Sequence, residues 1–209
     1  TPPSRCARHA RMRILLTLAM VSALGLVGCG GGGEEAGPSI KQIKTESMKK
    51  EGSTWTIAFT SEIAAPIDKV YEAFTQPEKS HEILPENFLK SELKSSEGNK
   101  KVVDLVIKLD ILPPGFKVQN PINEFEFFPD QKRFTQKTLD FKLADINTEF
   151  QLKPSKDGQG TLVECKQTSV GKTALITDSL QRGALRDTYV NQIRAIEKAL
   201  GVGGDAKAG

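Results

Sequence analysis

The chain has 209 residues, 29 of them Lys or Arg against 26 Asp or Glu, for a formal charge of +3. Arg5, Arg8, Arg11 and Arg13 all lie in the first 28 residues, which hold no acid, so the remainder carries 25 basic against 26 acidic residues and is near neutral. That balance excludes the strongly basic footprint of a nucleic-acid binder, and the three cysteines, Cys6, Cys29 and Cys165, are too few for a disulfide framework.

In chain order, Arg11-Met12-Arg13 forms a positive cluster and Ile14 to Val27 is a nearly unbroken apolar run, the pattern of a secretory signal with Met12 as its expected start. The run is too short for a comfortable membrane span, which takes about 20 apolar residues. It ends Leu26-Val27-Gly28-Cys29. That order resembles the lipobox of bacterial lipoproteins, in which a small residue precedes a cysteine that is diacylated, freed by cleavage and acylated again. The resemblance implies lipidation at Cys29, and two or more acyl chains anchor a protein stably where one is marginal. Gly30 follows in place of aspartate, which by the same resemblance implies the outer membrane, facing the periplasm. An ordinary cleaved signal with a chance cysteine after it is the alternative.

Residues 1–28 thus read as a leader and 29–52 as a tether. The glycines 30–33 and the polar run "EEAGPSIKQIKTESMKKEG" cannot bury enough surface to offset their conformational entropy. Roughly 22 such residues span about 25 Å on average. Residues 53–200 are the expected folded domain, long enough for one core, and 201–209 the expected frayed tail.

The domain opens with a period-2 strand in which Trp55, Ile57, Phe59, Ser61 and Ile63 share a face. Pro66 starts a helix whose apolar stripe is Ile67, Val70, Tyr71 and Phe74, and Pro77 and Pro85 bracket a second short helix, Glu78 to Leu84. A strand over 88–95 turns at Glu97-Gly98-Asn99 into another that sets Val103, Leu105, Ile107, Leu109 and Ile111 on one face. "LPPGFKVQNP" (112–121) reads as a loop by its prolines and glycine. Two hairpins follow, 122–128 with 133–141 and 146–152 with 161–169. A helix over 177–200 closes the domain, with Leu185, Tyr189, Ile193, Ile196 and Leu200 as its apolar stripe and Asp178 at its N-terminal end.

The expected fold is therefore α+β: a curved antiparallel sheet of about seven strands around a long C-terminal helix, with two short helices after the first strand. The element order and the passage "IAAPIDKVYEAF" resemble the START-like helix-grip superfamily, which includes polyketide cyclases, lipid-transfer proteins and relatives of plant pollen allergens. The resemblance covers about residues 53–200, and the proline-rich insertion at 112–121 departs from it. It implies an internal cavity for a lipid, sterol, terpenoid or polyketide-like molecule.

A sheet curved around one helix encloses space wherever side chains do not fill it. Strand parity turns Trp55, Phe59, Val103, Leu105, Ile107, Phe125, Phe127, Phe150, Val163 and Cys165 inward, joined by Leu185 and Tyr189 from the helix. Thr148 and Gln167 share that parity and are the candidates to orient a polar headgroup. Cys165 otherwise reads as a small buried hydrophobe. Binding driven by apolar burial needs no metal or cofactor. A monomer is expected, since the long helix is used in the core and no amphipathic helix is left for a partner.

Two other readings stay open. Cyclases and aromatases of the superfamily do acid–base chemistry, and a protein-docking role in an envelope complex is a third possibility. The sole histidine after the leader, His81, lies between prolines on a short helix and is expected at the surface. Asp104 and Asp110 have the outward parity of solvent-face charges, and no Ser/His/Asp order, HExxH or paired CxxC occurs.

Overall fold

The computed structural model describes residues 42–110, 112–173 and 177–202. The leader, Cys29, the glycine run, Ile111 and the end of the tail lie outside the described residues.

A single antiparallel sheet runs in the order β1-β2-β9-β8-β7-β6-β4-β3, with a short β5 added to β4. The strand β2 (Thr54–Ile63) alternates as its sequence requires, burying Ile57, Phe59, Ser61 and Ile63. Its outer neighbour β1 (Thr45–Glu51) falls within the segment read as tether. That segment is a charged edge strand whose apolar content is little more than Met48, so no period-2 signal marks it, and lysines on an edge also discourage edge-to-edge association. Gly52, at φ +59°, opens the two-residue loop between β1 and β2, a conformation that suits glycine.

Pro66 sits at the N-cap of α1 (Ile67–Phe74), where its carbonyl accepts the first helical hydrogen bonds from Lys69 and Val70. Val70, Tyr71 and Phe74 are buried. The second expected helix is shorter than its sequence suggests: a 3-10 turn at Pro77–Lys79 runs into one α turn, α2 (Ser80–Ile83). The chain then crosses to the far edge of the sheet and forms β3 (Phe88–Glu97) and β4 (Lys100–Lys108). Leu109 lies just beyond the end of β4 and is buried.

The proline-rich insertion holds a 3-10 turn at Pro114–Phe116 and β5 (Val118–Gln119), which pairs with the end of β4. The two hairpins appear as β6 (Ile122–Phe128) with β7 (Arg133–Asp140), and β8 (Ala144–Pro154) with β9 (Thr161–Gly171). Pairing of β9 with β2 brings the last strand of the chain back beside its first ones, and the sheet ends at β1 on one edge and β3 on the other. The closing helix, α3 (Asp178–Ala199), is capped by Thr177, whose hydroxyl accepts from the Leu180 amide at 3.3 Å, while Asp178 in the first turn pairs with Lys50 of β1. Leu185, Tyr189, Ile193 and Ile196 bury the helix against the concave face of the sheet.

Asp104 departs from its sequence reading. It faces outward as parity requires, but it is buried at 8% exposure, because Lys90 (3.2 Å) and Lys94 (3.5 Å) from β3 fold over its carboxylate.

Candidate functional site

Register across the sheet organises the interior into lateral rows, since residues directly opposite on neighbouring strands stand side by side. One row is Phe127, Phe134, Phe150, Cys165 and Phe59, from β6, β7, β8, β9 and β2 in turn. Phe74 of α1 and Tyr189 of α3 pack onto it. Ring centroids lie 4.4 Å apart for Phe134–Phe150, 4.6 Å for Phe59–Tyr189 and 5.0 Å for Phe74–Phe134. This half of the interior is closely packed with rings.

One step along the strands the chemistry changes. Gln136, Thr148 and Gln167 stand opposite one another on β7, β8 and β9. In the next row Asn123 faces Thr138, and Ile146 faces Ser169. Between these rows, β4 and the N-terminal two-thirds of α3 lies a cavity of about 80 Å³. Leu105 and Ile107 of β4 and Leu185 of α3 supply apolar wall, and Leu112 and Phe141 come in from the flanking loops.

Of the sequence candidates, Leu105, Ile107, Thr148, Gln167, Leu185 and Tyr189 line this cavity, together with Cys165. Trp55, Phe59, Phe125, Phe127, Phe150 and Val163 do not: Phe59, Phe127 and Phe150 belong to the aromatic row, Val163 lies beyond it, and Phe125 and Trp55 stand at the outer ends of the rows that contain Gln136 and Ser169. Phe125 instead borders a separate crevice of about 40 Å³ beside α1 and α3. A wider groove of about 300 Å³ between α1 and the end of α3 is outside the sheet and edged by the exposed Lys69, Glu72 and Lys79.

Sequence reading missed Asn123, Gln136 and Thr138, although each shares the inward parity of a Phe on its own strand, Phe125 for Asn123 and Phe134 for the other two. It also missed Gln181, Thr188 and Gln192, which recur at spacings of seven and four on α3 and so share a face with Leu185. Polar residues at inward parity are the signal that marks the whole group.

Several of these polar groups satisfy one another. Gln192 donates to the Gln136 side-chain oxygen at 3.0 Å, Gln181 donates to the Ser169 hydroxyl at 2.9 Å, and the Thr138 hydroxyl accepts from the Ile146 amide at 2.9 Å. Tyr189 donates to Ser61 at 2.7 Å, and Ser61 in turn donates to the Gln42 carbonyl. Asn123, Thr148 and Gln167 have no side-chain hydrogen-bond partner among the described residues, and Asn123 Oδ1 is fully enclosed.

Among the described residues lining the cavity there is no carboxylate, imidazole, ammonium or guanidinium. Burial pushes the Cys165 thiol and the Tyr189 phenol well above their ordinary pKa values, so both stay protonated at neutral pH. The hydrogen bond to Ser61 only partly offsets the shift of Tyr189. His81 is half-buried rather than exposed and lies away from the cavity; its Nδ1 is 2.7 Å from the Ser91 hydroxyl, which donates to the Glu78 carbonyl at 2.7 Å. That contact pins α2 to β3. The lining can hold a guest through apolar contact and neutral hydrogen bonds.

No protein-family model matches the chain, and no curated protein matches its sequence. Solved structures do resemble it. Zhui aromatase/cyclase from Streptomyces sp. R1128 superposes with a TM-score of 0.59 at 15% identity, over 68% of this chain and 91% of that one. A START superfamily protein from Mycobacterium smegmatis gives 0.57 at 11% identity, over 70% and 97%. Major latex-like protein 151 from Panax ginseng gives 0.57 at 18% identity, also over 70% and 97%. Identities this low speak for the fold alone. The chain has the helix-grip fold, a curled antiparallel sheet closed on a long C-terminal helix, which it shares with these structures, a START superfamily protein among them.

Proposed function

We propose that this domain binds a hydrophobic small molecule in the cavity beneath α3 and carries or buffers it beside a membrane to which the chain is tethered through lipidated Cys29. The observation that carries the binding reading is the unfilled space among Leu105, Ile107 and Leu185, directly beside a row of stacked rings. Burial of apolar ligand surface supplies about 25 cal/mol per Å². At about 80 Å³ the cavity suits a compact guest. Ligands that fill the usual pocket range of about 300–1,000 Å³ enter only if the rim at Leu112 and Phe141 moves outward.

The described lining holds no carboxylate, imidazole or amine, and its Cys165 thiol and Tyr189 phenol stay protonated, which favours binding over acid–base catalysis. Support for the tether comes from the order Leu26-Val27-Gly28-Cys29 behind its apolar run, and Gly30 supports the outer membrane, facing the periplasm. The domain then acts as a monomer with the bilayer and the small molecule as its partners.

Native mass spectrometry of the protein purified from its own host, followed by extraction, tests the binding reading. A lipid, sterol, terpenoid or polyketide-like molecule travelling with the chain is the expected result; an interior free of any guest refutes it. Cys29→Ser is expected to move the protein from the membrane to the soluble fraction, and retention on the membrane refutes the tether.

A further inference from the structure

The cavity ends at a bonded pair of amides with further space behind them, and this shape narrows the class of guest, a step that rests on the binding reading above. Three successive inward positions of β8, Ala144, Ile146 and Thr148, line the cavity, which makes it roughly 13 Å deep at about 3.3 Å per strand residue. Along α3 it runs from Gln181 to Gln192, roughly 16 Å at about 1.5 Å per helical residue. A volume of about 80 Å³ drawn out over that length is a slot one chain wide. Gln181, bonded to Ser169, stands at the rim end, and Gln192, bonded to Gln136 at 3.0 Å, at the inner end. Behind that pair lies the crevice of about 40 Å³, half the volume of the cavity. Cavity and crevice share Phe88, Leu105 and Gln192 as wall. Phe125, which borders the crevice, stands directly opposite Gln136, which borders the cavity, so the two spaces meet at the Gln136–Gln192 bond.

We propose that Gln136 and Gln192 form an end stop that fixes the length of the guest's apolar tail, and that the guest is a single unbranched chain lying along the slot. A tail pushed past the stop parts the two amides and leaves each beside hydrocarbon without a partner, a penalty larger than one buried methylene returns. A tail that ends short of the stop leaves the apolar wall of Leu105, Ile107 and Leu185 partly uncovered. The pair therefore favours one chain length. Truncating either glutamine removes the bar and joins the crevice to the cavity, so the permitted tail grows.

The unbranched alcohols n-butanol, n-hexanol, n-octanol and n-decanol, with the cage alcohol adamantanol beside them, test this by calorimetric titration of the full chain. In the unmodified protein each added methylene is expected to tighten binding by about fourfold while it is being buried, and the gain to stop at one length within the series. Gln192→Ala is expected to move that length up by at least two carbons, and Gln136→Ala, a second variant on a different element, to do the same. Ala73→Leu, on the crevice wall and not on the cavity wall, is expected to return Gln192→Ala to the original length. A glutamine pair that merely held β7 to α3 would weaken every alcohol alike and leave the length where it was. An unchanged length in both variants, or a gain that continues through n-decanol in the unmodified protein, overturns the end stop. Adamantanol is expected to bind at least tenfold more weakly than n-octanol, and equal affinity overturns the single-chain guest. In each of these cases the binding reading survives, because the alcohols still bind; if none of them binds, the proposal and the binding reading fall together.

Discussion

Phe150→Ala separates packing from ligand contact in the interior. Phe150 is 0% exposed and its ring lies 4.4 Å from Phe134, 5.5 Å from Phe74 and 6.4 Å from Tyr189. Truncating a buried Phe to Ala costs about 3–5 kcal/mol, and each well-placed ring pair adds about 0.5–1.5 kcal/mol beyond area. With Phe134 and Phe74 both within pairing range, the upper end, about 5 kcal/mol, is expected. For a domain of this size that lowers Tm by about 10–20 °C. Phe150→Leu, which keeps most of the apolar volume and loses the ring pairs, is expected to cost about 1–2 kcal/mol. Urea titrations of the full chain read by the fluorescence of Trp55, the one tryptophan, give both values. A loss below about 1.5 kcal/mol for Phe150→Ala would mean that the rings are loosely held and belong to the ligand wall, and the division of the interior into a filled and an open half would be wrong.

Two further outcomes follow from burial and charge. Cys165 and Tyr189 have folded-state pKa values raised above their ordinary 9.0 and 10.0 by burial, so the folded chain holds protons that the unfolded chain releases. Their contribution is therefore complete below about pH 9 and is lost as pH rises, at about 1.4 kcal/mol per pH unit once Cys165 ionises in the unfolded state and nearly twice that once Tyr189 does. Urea midpoints between pH 8 and 11 are expected to show that fall, with Cys165→Ala delaying its onset; a flat profile contradicts the buried placement of both groups. At the β1 edge of the same concave face, Glu46 of β1 meets Arg186 of α3 at 2.9 Å with only 18% and 14% of their side chains exposed. Glu46→Gln is expected to cost about 1–3 kcal/mol, less than a fully buried pair, and a double-mutant cycle with Arg186→Met to give a coupling of at least about 0.5 kcal/mol. Zero coupling would mean that β1 is not fastened to α3 through this pair.

The edge strand β1 shows why one boundary was not legible. Its seven residues carry four charges and little apolar area, and only the open edge of β2 and the ion pairs to Arg186 and Asp178 give such a segment a reason to extend. Asp104 makes the same point in reverse. Parity placed it on the outer face correctly, yet its burial comes from two lysines on a different strand.

Composition gave the near-neutral charge of the domain, and local periodicity marked the long strands and helices and which side of each such strand faces inward, because these depend on backbone geometry that repeats every two or 3.6 residues. Phe150 and Thr148 were both assigned inward on that ground. Tertiary structure alone decided that Phe150 sits against the rings of Phe74, Phe134 and Tyr189 while Thr148, one step along the same strand, borders open space. A cavity is the difference between the volume enclosed by elements far apart in sequence and the volume of the side chains they bring together. Register between β6, β7, β8 and β9 and the placement of α3 over them set that difference, and none of these is a property of any one segment.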